Sequence, residues 1–251
     1  MIYIVFIIFG LLPSLVWLLF YLRKDAHPES KGMVLKIFFY GMIGAIIAML
    51  IEIWISWSII FFIGDRIESL PILFFFLNQF IVVALVEELA KYLIVREKVL
   101  CDGEFDEPVD AMVYMIVAAL GFAALENVLI LFSLGSPFLV KDAALISSFR
   151  FLGATFLHAL ASGIIGYYLA LSFCDIKKRK GLILKGIFFA VVLHGLFNIS
   201  ITMIERGLID QNISLFAVSF GFLVIILSAT AIFISNKFKE IKKLKSICKI
   251  I

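Results

Sequence analysis

The segment PILFFFLNQFIVVALVEELAKYLIV, residues 71–95, is an almost unbroken apolar run that nevertheless contains charged residues. A helix needs about 20 mostly apolar residues to cross the hydrocarbon core of a bilayer, and this run is long enough. The charged residues are Glu87, Glu88 and Lys91. Each charge inside a membrane helix costs roughly 3 kcal/mol on insertion scales, so such residues usually face the interior of a bundle and mark a functional site. The segment therefore predicts a transmembrane helix that carries part of a polar site.

The composition of the whole chain is that of a polytopic membrane protein. Of its 251 residues, 63% are hydrophobic, 27 are phenylalanine and 16% are charged, whereas soluble domains have about 45–50% apolar and about 25% charged residues. We therefore predict an all-α transmembrane fold. The net charge of +3 does not indicate a nucleic-acid partner. The three cysteines are scattered without CxxC spacing, which argues against a disulfide framework and against a structural zinc site.

Seven apolar stretches are long enough to cross the membrane. They are residues 2–22, 37–63, 71–95, 109–133, 148–173, 182–204 and 214–235. The connections between them are short, so residues 1–251 are predicted to form one transmembrane domain, with its catalytic helices at about 71–204. The first stretch has no basic region before it and is too long for the apolar core of a signal peptide, so we interpret it as a retained helix.

The distribution of lysine and arginine predicts the orientation of the chain. Seventeen of the 22 basic residues lie in the first, third and fifth connections and in the tail 236–251, whereas four lie in the other connections and Lys91 lies within a span. Cytoplasmic loops carry the excess of basic residues in membrane proteins. We therefore expect the N-terminus outside, the C-terminus in the cytoplasm, and the basic tail at the anionic inner leaflet or simply in the cytoplasm.

The charged residues of the third span are placed for mutual contact. Lys91 follows Glu87 by four residues and Glu88 by three, so all three can meet on one helix face. Two adjacent carboxylates cannot both ionise cheaply in a low dielectric, and a neighbouring lysine holds one of them as an anion. This arrangement can provide a base beside a proton donor. The alternative is a helix end at the cytoplasmic interface, where the triplet is merely solvated.

Polar residues also interrupt the next three spans. They are Glu126 and Asn127 in the fourth, His158 in the fifth, and His194 with Asn198 in the sixth. The Glu-Asn pair has the alternative role of an interhelical hydrogen bond that serves packing, and a single histidine is often only a satisfied core residue. Because Asn198 follows His194 by four residues, its amide can orient the imidazole. Together with the charged triplet, these residues predict one polar cavity whose walls are the third, fourth, fifth and sixth spans.

The order of these motifs resembles a known family. The sequence contains neither the HExxH zinc motif nor the GxSxG serine motif. Instead Glu87–Lys91 reads Glu-Glu-x-x-Lys, Phe122–Asn127 reads Phe-x-x-x-Glu-Asn, and His158 and His194–Asn198 follow on successive spans. This set is similar to that of the PrsW family of intramembrane proteases, relatives of the type II CAAX prenyl endopeptidases and of the scaffold subunit of gamma-secretase. The resemblance covers roughly residues 71–200.

Two departures separate the chain from the prenyl endopeptidases. That branch typically has Glu-Glu-x-x-x-Arg and Phe-x-x-x-His, whereas this chain has Lys91 one position earlier and Glu126 in place of the histidine. The resemblance therefore implies an enzyme of the cell membrane that cleaves a membrane-tethered protein. In this family the substrate is typically an anti-sigma factor, cut in the first step of a regulated cascade.

The residues suggest peptide hydrolysis by an activated water as the mechanism. Glu87 is the preferred general base, with Glu88 and Lys91 tuning its proton affinity. His194, steered by Asn198, would stabilise the oxyanion or protonate the leaving amine.

The remaining candidates leave alternatives open. His158 and Glu126 would hold the water or the substrate carbonyl, and Asn127 belongs to the same site. In a zinc-dependent variant Glu126, His158 and His194 would bind the metal with Glu87 as the base. The metal-free form is preferred because no helix presents two ligands in a recognised metal spacing. A proton-coupled transporter is a rival, although no repeat is visible, and so is a silent scaffold that binds partner helices.

Overall fold

The computed structural model describes residues 2–23, 29–64, 69–134 and 140–243, which form helices and no strand. The elements are α1 (Ile2–Leu22), α2 (Lys31–Ile63), α3 (Pro71–Leu77), a π-helical segment (Asn78–Leu85), α4 (Val86–Lys98), α5 (Pro108–Leu134), α6 (Val140–Leu152), α7 (Ala154–Cys174), a 3₁₀ turn (Ile176–Lys178), α8 (Arg179–Ile209) and α9 (Ile213–Ile241). Seven helical segments are long and apolar enough to cross a membrane, which confirms the predicted fold class. The orientation of the termini stays a prediction. Residues 244–251 of the predicted basic tail lie outside the described residues, as do Lys24 and Arg66.

Two of the predicted spans are less regular than expected. The span predicted at 71–95 consists of α3, the π-helical segment and α4. The span predicted at 148–173 is present, but a break at Gly153 divides it into α6 and α7. The amide of Gly153 donates to the carbonyl of Phe149 and ends α6, while its own carbonyl accepts from Leu157 and opens α7. Hydropathy does not register such a break, because both sides of it are equally apolar.

Helix α5 lies at the centre of the bundle. Residues 108–124 are all buried, and α1, α2, α4 and α7 pack around them. The helix begins at Pro108, which needs no backbone donor in the first turn. The carboxylate of Asp110 then accepts hydrogen bonds from the backbone amides of Asp106 (3.0 Å) and Glu107 (2.8 Å). The sequence therefore starts this helix sharply and buries its first 17 residues, and Glu126 follows just beyond them.

Glycines allow α5 to contact its neighbours through the backbone. A Cβ atom at Gly121 would overlap the carbonyl oxygen of Phe38 on α2, and one at Gly41 would overlap the carbonyl oxygen of Ala118. Small residues at such crossings are the usual means of close helix packing in membranes. These two glycines therefore let the backbones of α2 and α5 touch where the helices cross.

Candidate active site

The π-helical segment leads directly into the charged triplet of α4. It covers Asn78–Leu85 and ends just before Glu87. The wider turn of a π-helix keeps residues four apart on nearly the same face, and π-helical turns are frequent at functional sites. Gln79, Val83 and Glu87, each four residues apart, all line one cavity. The backbone register of this segment therefore directs Glu87 towards that cavity.

Lys91 is at the centre of the polar cluster and is fully buried. Its ammonium nitrogen lies 2.7 Å from Oε1 of Glu88, 3.2 Å from Oε2 of Glu87 and 2.8 Å from Nδ1 of His158. It also lies 4.4 Å above the ring of Phe122. The lysine thus offsets one of the two carboxylate charges. Because all three residues of the triplet are buried, the alternative in which they are solvated at a helix end is excluded.

The two adjacent carboxylates have different environments. Glu88 is fully buried, and its Oε1 accepts from both Lys91 and Nδ1 of His194, each within 2.8 Å. Its Oε2 accepts from Ser162 at 3.4 Å. Glu87 lines the cavity, and its Oε2 lies 3.8 Å from Nδ1 of His158 and 3.9 Å from Nε2 of His194. Of this pair, Glu87 is therefore the carboxylate that can meet water or substrate.

The cavity has a volume of about 290 Å³ and lies between α4, α5, α7 and α8. Glu87, His158 and His194 form its buried, deep part, whereas the partly exposed Gln79 and Arg150 and the exposed Glu205 lie towards its mouth. Most of the residues that line this cavity are polar or charged, and convergent polar groups in one pocket are the usual mark of an enzyme site.

Each histidine is bonded to a carboxylate through one of its two ring nitrogens. Nδ1 of His158 contacts the ammonium of Lys91, which can only donate, so this nitrogen accepts and Nε2 donates to Glu126 at 2.8 Å. Nδ1 of His194 donates to Glu88 at 2.8 Å. Each ring is therefore held by a carboxylate on one side and presents its other nitrogen to Glu87. A ring fixed in this way is in a defined tautomer.

Arg150 was missed as a site residue. It lies near the start of the predicted span 148–173, its side chain is 17% exposed, and its Nη2 forms an ion pair with Oε1 of Glu126 at 2.9 Å. Its Nε donates to Oδ1 of Asn127, and Asn127 in turn donates to Thr155 at 3.0 Å. Asn127 is buried and joins three helices, as in the packing alternative. Two features of the sequence pointed to it: the arginine lies just inside a predicted span, and Glu126 in the preceding span needed a positively charged partner.

Two contacts differ from those considered in the sequence. His194 is held through Nδ1 by Glu88, whereas Asn198, which was predicted to orient it, lines the cavity one helical turn away. In the zinc-dependent alternative Glu126 was one of the ligands, but here Glu126 bonds Nε2 of His158. Among the described residues, the group close enough to share a metal ion contains Glu87, with His158 and His194.

Comparisons with known proteins agree with this architecture. A family model described as PrsW family intramembrane metalloprotease matches residues 29–232. The chain belongs to the PrsW family. The Protease PrsW of Geobacillus kaustophilus (strain HTA426) is 31% identical over 199 residues, which are 78% of this chain and 80% of the relative. The Protease PrsW of Bacillus subtilis (strain 168) is 28% identical over 78% of this chain and 83% of the relative, and that of Clostridioides difficile (strain 630) is 27% identical over 78% of each. No solved structure matches the chain.

Membership of the PrsW family confirms two of the sequence predictions. The chain is an intramembrane protease, which was preferred over a transporter or a silent scaffold, and it is a multi-pass membrane protein.

The family description implies a metal, and the residues at the cavity fit one in donor type. One carboxylate and two imidazoles are common zinc ligands, and the donor atoms of Glu87, His158 and His194 lie within 4.8 Å of one another. Zinc-bound histidines usually donate their other ring N–H to a carboxylate, as both rings do here. The ammonium of Lys91 contacts Nδ1 of His158 at 2.8 Å. A metal ion at this nitrogen would therefore require Lys91 to withdraw towards Glu88.

Proposed function

We propose that this PrsW protease hydrolyses a peptide bond with a water molecule activated at Glu87. The observation that carries the proposal is the convergence of Glu87, His158 and His194, from three helices, at the deep end of one cavity. Glu87 would accept a proton from the water as the oxygen attacks the peptide carbonyl. Positioned acid–base groups of this kind contribute about 10²–10⁴-fold to the rate.

Glu88 and Lys91 support this chemistry from behind the cavity. Glu88 is fully buried and contacts Lys91 and His194, so it has no access to substrate. Through Nδ1 it would hold the ring of His194 with Nε2 directed to the cavity. Nε2 lies 3.9 Å from Glu87, so it could pass the proton that Glu87 took from the water to the nitrogen of the leaving amine. The peptide C–N bond breaks as the amine receives this proton, and Glu87 is left ionised for the next cycle.

A divalent ion, if bound, would be held by Glu87, His158 and His194. It would supply a Lewis acid that polarises the carbonyl and promotes ionisation of a bound water. Glu87 would then serve as a ligand, while Glu88 and Glu126 would keep the two rings oriented.

We further propose that the substrate is a membrane-tethered protein, such as an anti-sigma factor, cut near the outer face. Gln79, Arg150 and Glu205 lie near the cavity end of their helices that faces away from the basic connections. With the orientation expected from the positive-inside rule, that end faces outside. A substrate segment leaving the outer leaflet would thus reach the cavity laterally.

The experiment uses the full-length protein reconstituted in liposomes with a single-span anti-sigma factor as the candidate substrate. Glu87→Gln and His194→Gln should each abolish formation of the cleaved fragment, detected by electrophoresis and mass spectrometry. Glu97→Gln, at an exposed position on the same helix, is the matched control and should cleave normally. Normal cleavage by both site variants would refute the proposal. Bound metal, measured in parallel, should fall in Glu87→Gln only if Glu87 is a ligand.

A further inference from the structure

Arg150 is linked to the catalytic cluster through a carboxylate. The two oxygens of Glu126 have separate partners: Oε1 pairs with Nη2 of Arg150 at 2.9 Å, and Oε2 accepts from Nε2 of His158 at 2.8 Å. The guanidinium and the imidazole therefore hold opposite sides of one carboxylate. This carboxylate is 32% exposed, so without Arg150 it could rotate into the water of the cavity and release the ring.

A second contact fixes the guanidinium itself. Nε of Arg150 donates to Asn127, and Asn127 donates to the hydroxyl of Thr155 at 3.0 Å. Thr155 precedes His158 by one turn of α7. Glu126 and Asn127, adjacent on α5, thus bind Arg150 on α6 and also bind two side chains on α7. This clasp spans the break at Gly153 and ties the end of α6 to the first turns of α7 through α5.

The consequence for His158 is a defined ring orientation. Its Nε2 proton points to Glu126, and its Nδ1 points to Lys91 and lies 3.8 Å from Glu87. Loss of the partner at Nε2 would allow the ring to flip or change tautomer, and the nitrogen facing Glu87 would then no longer be defined.

We propose that Arg150 is a positioning residue, which acts through Glu126 to hold His158 in the orientation that the reaction needs. The inference rests on the proposed function, because it assigns a purpose to the position of His158. It differs from a role in substrate recognition, which the location of Arg150 on the cavity wall would also allow.

The test compares Arg150→Met and Arg150→Lys with Arg206→Met. Arg206 is exposed near the end of α8 on the same side of the bundle and controls for loss of one positive charge. Arg150→Met should lower kcat about 10- to 100-fold, the usual effect of removing an outer partner of a catalytic histidine, with KM unchanged. Arg150→Lys should recover part of the loss, because lysine restores the positive charge but not the planar guanidinium that contacts both Glu126 and Asn127. The double variant Arg150→Met/Glu126→Gln should be no slower than Glu126→Gln alone.

A readout independent of activity is available because the chain has three histidines. In protein labelled with ¹⁵N-histidine, a His158→Gln variant identifies the His158 resonances. These should report a single tautomer, protonated at Nε2, in the parent and in Arg206→Met, and a mixture in Arg150→Met. If Arg150→Met does not fold, Arg150→Lys and Glu126→Gln carry the same comparison.

Three results would overturn the inference. They are a raised KM with unchanged kcat in Arg150→Met, an additive loss in the double variant, and an unaltered His158 tautomer. If Glu87→Gln is inactive while Arg150→Met is fully active, the role of Arg150 fails and the proposed function stands. If Glu87→Gln is itself active, the proposed function fails.

Discussion

Replacement of Lys91 by methionine should destabilise the protein strongly, because it leaves two carboxylates without their cation. Lys91 is fully buried and lies 2.7 Å from Glu88 and 3.2 Å from Glu87. Methionine preserves most of the packing against Phe122 but no charge. The substitution therefore isolates the electrostatic contribution of the ammonium group.

The expected loss is about 3–5 kcal/mol in the free energy of unfolding, the range measured when one partner of a buried ion pair is removed. A protein domain is usually stable by about 5–15 kcal/mol, so this is a large fraction of the total. Glu88 has no contact with the cavity and cannot be hydrated there, which places most of the penalty on this residue. The double variant Lys91→Met/Glu88→Gln removes the uncompensated charge and should recover most of the stability.

The assay is equilibrium unfolding by SDS in mixed micelles, followed by circular dichroism. Lys98→Met, at an exposed position on the same helix, is the control and should change stability by no more than about 0.5 kcal/mol. Our reading of the cluster would be refuted if Lys91→Met unfolded at the same SDS fraction as the parent. A double variant no more stable than Lys91→Met would refute it equally.

Three further predictions concern packing. Gly121→Ala should destabilise the protein by at least about 1–3 kcal/mol, because the new Cβ overlaps a backbone carbonyl of α2. The control is Gly221→Ala, where nothing lies within 4 Å of the new atom; it should be neutral or stabilising by up to about 1 kcal/mol. If both variants changed the SDS unfolding midpoint equally, the close crossing of α2 and α5 at Gly121 would be contradicted. Asn127→Ala should cost about 1–3 kcal/mol, since a guanidinium on α6 and a hydroxyl on α7 lose their partner, and an unchanged unfolding midpoint would disprove that role. Trp17→Phe should increase hydrogen exchange around the α6–α7 break, because the indole no longer donates to the carbonyl of Phe151; unchanged exchange there would show that the bond is dispensable.

Contacts within one helix were predictable from the sequence. Lys91 meets both Glu87 and Glu88 because residues three and four apart lie on one helix face whatever surrounds them. The same rule failed for His194 and Asn198, where a carboxylate from another helix reached the imidazole first. Spacing shows which pairs can meet, but it does not show which partner from elsewhere will compete.

The sequence alone determined that the chain crosses the membrane seven times, and it identified nearly all the polar residues that meet inside. Both follow from the same physical cost, since lipid excludes charge and forces apolar runs to be helical. The tertiary structure alone decided that Glu87 lines the cavity while Glu88 is sealed behind it. It also decided that Glu87 lies near both histidines whereas Glu126 binds only His158, and that Arg150 joins the site. Those features depend on the rotation of each helix about its axis and on the breaks at the π-helical segment and at Gly153. Packing between helices sets them, through glycine contacts and interhelical hydrogen bonds that a linear pattern does not record.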